Sequence, residues 1–312
     1  MIRYLQSSRF MKWLITGIFL LVFVMVGIVV LRDWDTLIAF PWRLHFGYLG
    51  LTIFFHSLAL GVTFWVWHLM MTRLGNFANT RMNFRFYYVS TLAKRIPTSL
   101  WYIGGRLVMY RQVGVVASAV VNCVVLENFI IGIAGVCTFL ALWPFYTNIP
   151  NTGILPLTIT GIVGLVGLLA RPQVFVDVTN WGLRRLGKQA LDYNPKRRDI
   201  LLWWAWYVLP WIFAGCALYC AARAFTGQIN LGLVDAIGIS TLTMLVALLS
   251  TLLPGGLGLK ELTASVLLLP WMPFSSALMI SLAYRLLQTL NEMGWAFLAM
   301  QVKPPESEFY SA

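Results

Sequence analysis

Apolar residues run through this chain in long blocks separated by short basic segments. Uncharged stretches cover Trp13–Leu31, Leu44–Thr72, Asn128–Ala170, Ile200–Ala222, Ala236–Leu259 and Leu262–Tyr284. Each reaches about the 20 residues that a helix needs to cross about 30 Å of hydrocarbon, and Asn128–Ala170 contributes to two crossings. Helix is the expected form, because lipid offers no hydrogen-bond partner to an unpaired backbone amide. The pattern predicts helices over residues 12–31, 47–71, 115–143, 153–170, 200–222, 233–253, 258–269 and 273–302. Of these, 258–269 is short enough to be a half-helix. Residues 84–114 are too polar and too broken for a plain span. They are expected to form one or two short helices dipping into the membrane, which is permitted where protein or water covers the backbone.

The predicted fold class is therefore all-α: a polytopic transmembrane helix bundle of about eight hydrophobic segments. Broken or re-entrant segments are expected near 84–114 and 250–270, within an inverted repeat. The chain reads as a single integral membrane domain, with a first half about 10–170, a basic loop 171–199 and a second half about 200–302.

Composition excludes a soluble fold. Of the 312 residues, 59% are hydrophobic and only 11% charged, against roughly 25% charged in a soluble domain. The net charge of +12 does not indicate nucleic-acid binding, because the basic residues lie in loops between apolar spans. Their distribution sets an orientation instead. Arg3, Arg9 and Lys12, then Arg73–Arg85, then Arg171–Arg198 fall on one side, leaving Arg32, Arg43 and Arg223 on the other. The first side is expected to be cytoplasmic, with both termini there, in a cytoplasmic-type inner membrane. Trp203, Trp204 and Trp206 open the fifth crossing as an interfacial aromatic belt. Trp13–Leu31 is long for a signal-peptide core and reads as a retained anchor. Cys123, Cys137, Cys216 and Cys220 fall in predicted helices and read as packing thiols. His45, His56 and His68 are too widely spread for a zinc site, so neither metal nor cofactor is expected.

Two places combine proline, paired glycines and charge. The first holds Pro97, Gly104, Gly105 and Arg106, with Glu127 in the next helix. The second holds Pro254, Gly255, Gly256, Gly258, Lys260 and Glu261, with Arg285 in the next helix. The halves are built alike but the order of charges is exchanged. Interrupted segments at matching places in two halves point to a transporter's binding site. Proline removes a helix hydrogen bond and glycine lets the chain turn, so both sets are expected to act as structural breaks. Ser281, Arg285, Gln288, Thr289 and Glu292 recur on one helical face, which must line a cavity or meet partners. The candidate substrate-binding residues are thus Arg106, Glu127, Glu261, Arg285, Gln288 and Glu292, expected to share one polar pocket. A second reading stands beside it: Arg106 pairs with Glu127, and Glu261 with Arg285, to hold helices together.

At these residues the chain resembles the lysylphosphatidylglycerol synthase transmembrane-region family, also described as flippase-like membrane proteins. The carrying features are Pro97, Gly104-Gly105-Arg106, Tyr110-Arg111-Gln112-Val113-Gly114 and Glu127. The second half adds Pro254-Gly255-Gly256-Leu257-Gly258-Leu259-Lys260-Glu261 and Ala283-Tyr284-Arg285. The resemblance covers about residues 10–302 and implies a lipid-handling membrane domain. Full synthases of this family carry a soluble aminoacyl-transferase domain, for which these 312 residues leave no room. The expected function is binding or translocation of a polar phospholipid or lipid-linked headgroup, with anionic membrane lipids as partners. Two alternatives remain. One is a membrane-embedded lipid-modifying transferase using Glu261 or Glu127 as general base, although no catalytic motif is visible. The other is a non-catalytic regulator docking on an envelope enzyme through residues 171–199.

Overall fold

A computed structural model describes Val24 and residues 27–92, 101–147, 154–171, 173–185, 195–227, 229–250 and 258–303. The first predicted helix falls mostly outside the described residues. A short helix α1, Trp34–Ala39, precedes the long α2, Phe46–Leu74. Then follow α3, Thr80–Leu92, α4, Trp101–Arg111, and α5, Ala117–Leu142, which ends in a one-turn 3-10 helix. Next come α6, Ile154–Ala170, and α7, Gln173–Arg185. The chain continues with α8, Arg197–Thr226, α9, Leu233–Ser250, α10, Leu259–Leu267, and α11, Phe274–Met300. All described elements are helical, in accord with the membrane-bundle expectation. Helices α2, α5 and α8 are each long and apolar enough to cross a bilayer.

Two four-helix units recur. The first, α2 to α5, has helices of 29, 13, 11 and 26 residues. The second, α8 to α11, has helices of 30, 18, 9 and 27 residues. Within each unit the first helix packs on the second and fourth, the second on the third, and the third on the fourth. Between units, α2 packs on α8, α3 on α11 as α9 does on α5, and α2 on α11 as α8 does on α5. Exchanging the units leaves this set of packed pairs unchanged.

The relation is an inversion. Arg73 near the end of α2 lies 4.0 Å from Asp199 at the start of α8. At the opposite end the amides of Arg43 and His45, before α2, donate to the carbonyls of Phe225 and Ala224 in α8, at 3.0 and 2.9 Å. Helices α2 and α8 are therefore antiparallel, and an axis perpendicular to them relates the units. The end carrying Arg73, Arg197 and Arg198 is here called the basic end.

Each unit contains a re-entrant hairpin. Helix α3 starts at the basic end, where Arg85 Nη1 donates to the carbonyl of Val302, just past α11 (2.7 Å). Helix α5 starts there too, with Val115 beside Gly75. It finishes at the far end, where Thr147 meets Asp235 of α9. The α3–α4 pair thus enters and leaves at the basic end, whereas α9–α10 enters and leaves at the far end. At 1.5 Å per residue, α4 and α10 are only about 14–17 Å long, too short to cross.

Two expectations are corrected. Gly104 and Gly105 lie inside the continuous α4 rather than at a break. A Cβ on Gly105 would meet Ser90 at 3.8 Å, an ordinary contact, so neither glycine is there to turn the chain. Pro97, Pro254, Gly255 and Gly256 lie outside the described residues. The basic loop 171–199 contains α7, whose polar and basic positions disguise an amphipathic helix with Val176 and Leu183 buried.

Candidate functional site

In the second unit the site is built around the start of α10. Gly258 adopts φ +92°, the left-handed region that a side chain disfavours. Its N–H donates to Glu261 Oε2 at 3.1 Å, so the carboxylate caps its own helix. The other oxygen, Oε1, accepts from Arg285 Nη1 of α11. One carboxylate thus fixes the helix start and holds the arginine. Lys260 Nζ donates to Gln288 Oε1 at 3.1 Å, a second tie between α10 and α11.

These groups border a recess between α8, α9, α10 and α11. Leu218, Met244 and Ala264 give its apolar lining; Ser240, Thr243, Ser281, Gln288 and the three ionic side chains give the polar one. Thr243 Oγ1 and Ser281 Oγ are buried without a hydrogen-bond partner. Buried hydroxyls are almost always bonded, so two orphans on one cavity wall are open positions for a ligand or water. Tyr284, also on the wall, donates to the Ala214 carbonyl at 3.0 Å and ties α11 to α8. Glu292 is half-buried on α11 and does not line the recess.

The first unit carries the counterpart. Arg106 of α4 donates from Nη1 to Glu127 Oε2 of α5 at 2.8 Å, and from Nε to Ser90 Oγ of α3 at 3.2 Å. Its guanidinium carbon sits 3.9 Å from the Trp67 ring centre, 4.6 Å from that of Tyr87 and 5.2 Å from that of Tyr102. Such faces attract a cation. Arg106 is wholly buried, and its Nη2 has no hydrogen-bond partner. Behind it, Trp67 Nε1 donates to the Tyr110 hydroxyl at 2.8 Å, and that hydroxyl donates to Asn83 Oδ1.

Both ion pairs anticipated from the sequence form, but they do not share one pocket. Neither Arg106 nor Glu127 lines the recess. The reason is topological: each short helix packs on the long helix that follows it, and α4–α5 makes no extensive contact with α10–α11. Met244 borders the recess and also packs against the core that surrounds the first pair. Sequence reasoning missed the aromatic box of Trp67, Tyr87 and Tyr102, whose members come from three helices. It also missed Ser240 and Thr243, although hydroxyls three apart in an apolar span are a readable signal.

The sequence model of the lysylphosphatidylglycerol synthase TM region matches residues 14–291. The chain belongs to this family. Within the lysylphosphatidylglycerol synthase TM region, the match spans both ion pairs and all but the last turns of α11. Membership makes the protein a membrane protein related to phospholipid handling. No curated protein and no solved structure matches the chain.

Proposed function

We propose that the protein binds the phosphate-bearing headgroup of a polar lipid in the α8–α11 recess and carries it between leaflets. The observation that carries this reading is the recess at Arg285. Two cationic side chains and one carboxylate line it, so its ionic lining is net positive. Arg285 keeps 29% of its side chain accessible, leaving guanidinium donors for phosphate, whose oxygens suit the planar fork. Thr243 and Ser281 supply unsatisfied hydroxyls beside it.

The recess has room for about one or two waters. A headgroup therefore enters by displacing the Lys260–Gln288 contact, while the acyl chains stay in lipid. Family membership supports phospholipid as the substrate class. The basic end, with Arg73, Arg184, Arg185, Arg197 and Arg198, is the cytoplasmic side of an inner membrane in this reading, by the excess of Lys and Arg in cytoplasmic loops.

The test is transbilayer movement of fluorescent phosphatidylglycerol in reconstituted vesicles, with native mass spectrometry of retained lipid. Arg285→Ala is expected to lose both. Equal movement by wild type and variant overturns the proposal.

A further inference from the structure

We infer that Arg106–Glu127 is a second headgroup site, closed in this structure, which opens when the Glu261–Arg285 recess closes. The inference rests on the proposed function and extends it to a named alternate state.

Three observations carry it. First, the two pairs occupy equivalent places in units whose contacts are unchanged by exchange: each joins a short re-entrant helix to the long helix after it. Glu127 lies about 15 Å along α5 and Arg285 about 16 Å along α11, so both sit near mid-depth. Second, the units differ in openness. Arg106 has none of its side chain accessible, whereas Arg285 has 29%. Third, Arg106 retains an N–H-bearing nitrogen, Nη2, without a hydrogen-bond partner at full burial.

A buried ion pair adds little stability over apolar packing, and an unmet donor makes it worse. The rings of Trp67, Tyr87 and Tyr102 surround the guanidinium, and a phosphate oxygen would give Nη2 the acceptor that these faces do not supply. The inversion supplies the motion. When two like units run in opposite directions, giving each the conformation of its partner produces a second state facing the other side. In the present state the hairpin entering from the far end is tied to α11 by Glu261 and Lys260 and borders a recess shared with α8. In the exchanged state the α3–α4 hairpin withdraws from Trp67, and Arg106 faces a recess on the basic-end hairpin. Tyr87 and Tyr102 ride on that hairpin together with Arg106, so it is the separation from Trp67 of α2 and from α5 that uncovers the guanidinium, while α9–α10 closes over Arg285.

Cys123 is the native reporter: it lies one turn before Glu127 on α5 and is fully buried. The experiment uses full-length protein carrying Cys137→Ala, Cys216→Ala and Cys220→Ala, in vesicles of phosphatidylglycerol and phosphatidylcholine. N-ethylmaleimide is expected to modify Cys123 over the time in which fluorescent phosphatidylglycerol crosses. Cys123 remaining unmodified while lipid crosses overturns the inference and leaves the proposed function standing. No lipid movement by wild type sinks the transport reading instead. In a second arm, Arg106→Gln with Glu127→Gln keeps a polar, uncharged pair. Movement is expected to fall at least about tenfold, with retention of lipid in the recess changed less than about twofold. Unchanged movement, or loss of retention together with movement, overturns the inference.

Discussion

Thr147 grips Asp235 twice, its amide donating to Oδ1 at 2.9 Å and its hydroxyl to Oδ2 at 2.7 Å. The clamp joins the segment after α5 to the first turn of α9, at the end of the bundle away from the basic loops. Its counterpart under the inversion is Arg85 on the Val302 carbonyl, joining the start of α3 to the segment after α11. Asp235 is buried while Thr147 is exposed, so the carboxylate depends on that partner.

Asp235→Ala is expected to destabilise the protein by about 1.5–3 kcal/mol, the range for hydrogen bonds to a charged group. Thermal unfolding in detergent measures it. An unchanged midpoint shows that the clamp does not hold the two units.

Gly215 on α8 lies so close to α9 that a Cβ there would stand 2.3 Å from Ile237 Cα. Backbone on one side and backbone on the other leave nothing flexible to yield. Gly215→Ala is expected to cost about 1–3 kcal/mol as α9 is pushed away, and to lower lipid retention because Ser240 and Thr243 move with it. Gly104→Ala, where nothing lies within 4 Å, is the control and is expected to leave both readouts near wild type.

Gly258→Ala forces a side chain into the left-handed region. The expected cost is about 1–2 kcal/mol, read as a fall in melting temperature. Because Glu261 caps that residue, lipid retention should fall as well. A stable variant with normal retention disconnects the turn from the recess.

Arg285→Lys keeps the charge but loses the fork. Retention of phosphatidylglycerol is expected between that of wild type and Arg285→Ala, with each lost charged hydrogen bond worth about tenfold or more. Retention equal to wild type shows that charge alone suffices.

The apolar spans of the bundle were readable because bilayer thickness fixes their length, and α2, α5, α8 and α11 fall within a few residues of expectation. The ion pairs were readable too, since four isolated charges in apolar surroundings have few partners. Three features were hidden. The box around Arg106 draws on Trp67, Tyr87 and Tyr102, and nothing local to any of them marks the arginine. Gly104 and Gly105 resemble a break, but they lie within the continuous helix Trp101–Arg111. The separation of the two sites follows from which hairpin enters at which end, information that resides in Arg73–Asp199 and Thr147–Asp235 rather than in any local motif.

Helix α6 acquires its meaning from counting. A unit made of two crossings and one hairpin begins and finishes on the same face of the membrane, so two such units joined directly would both stand the same way up. An odd crossing must intervene. Helix α6, 17 residues laid along α5, stands at that point in the chain. Gly161 and Gly164 nestle against Val136 and Ile133 of α5, and the Ala170 carbonyl accepts from Arg197 at the head of α8. Excising α6 alone would break the parity and turn the second unit over, carrying the arginines of 171–198 to the wrong face.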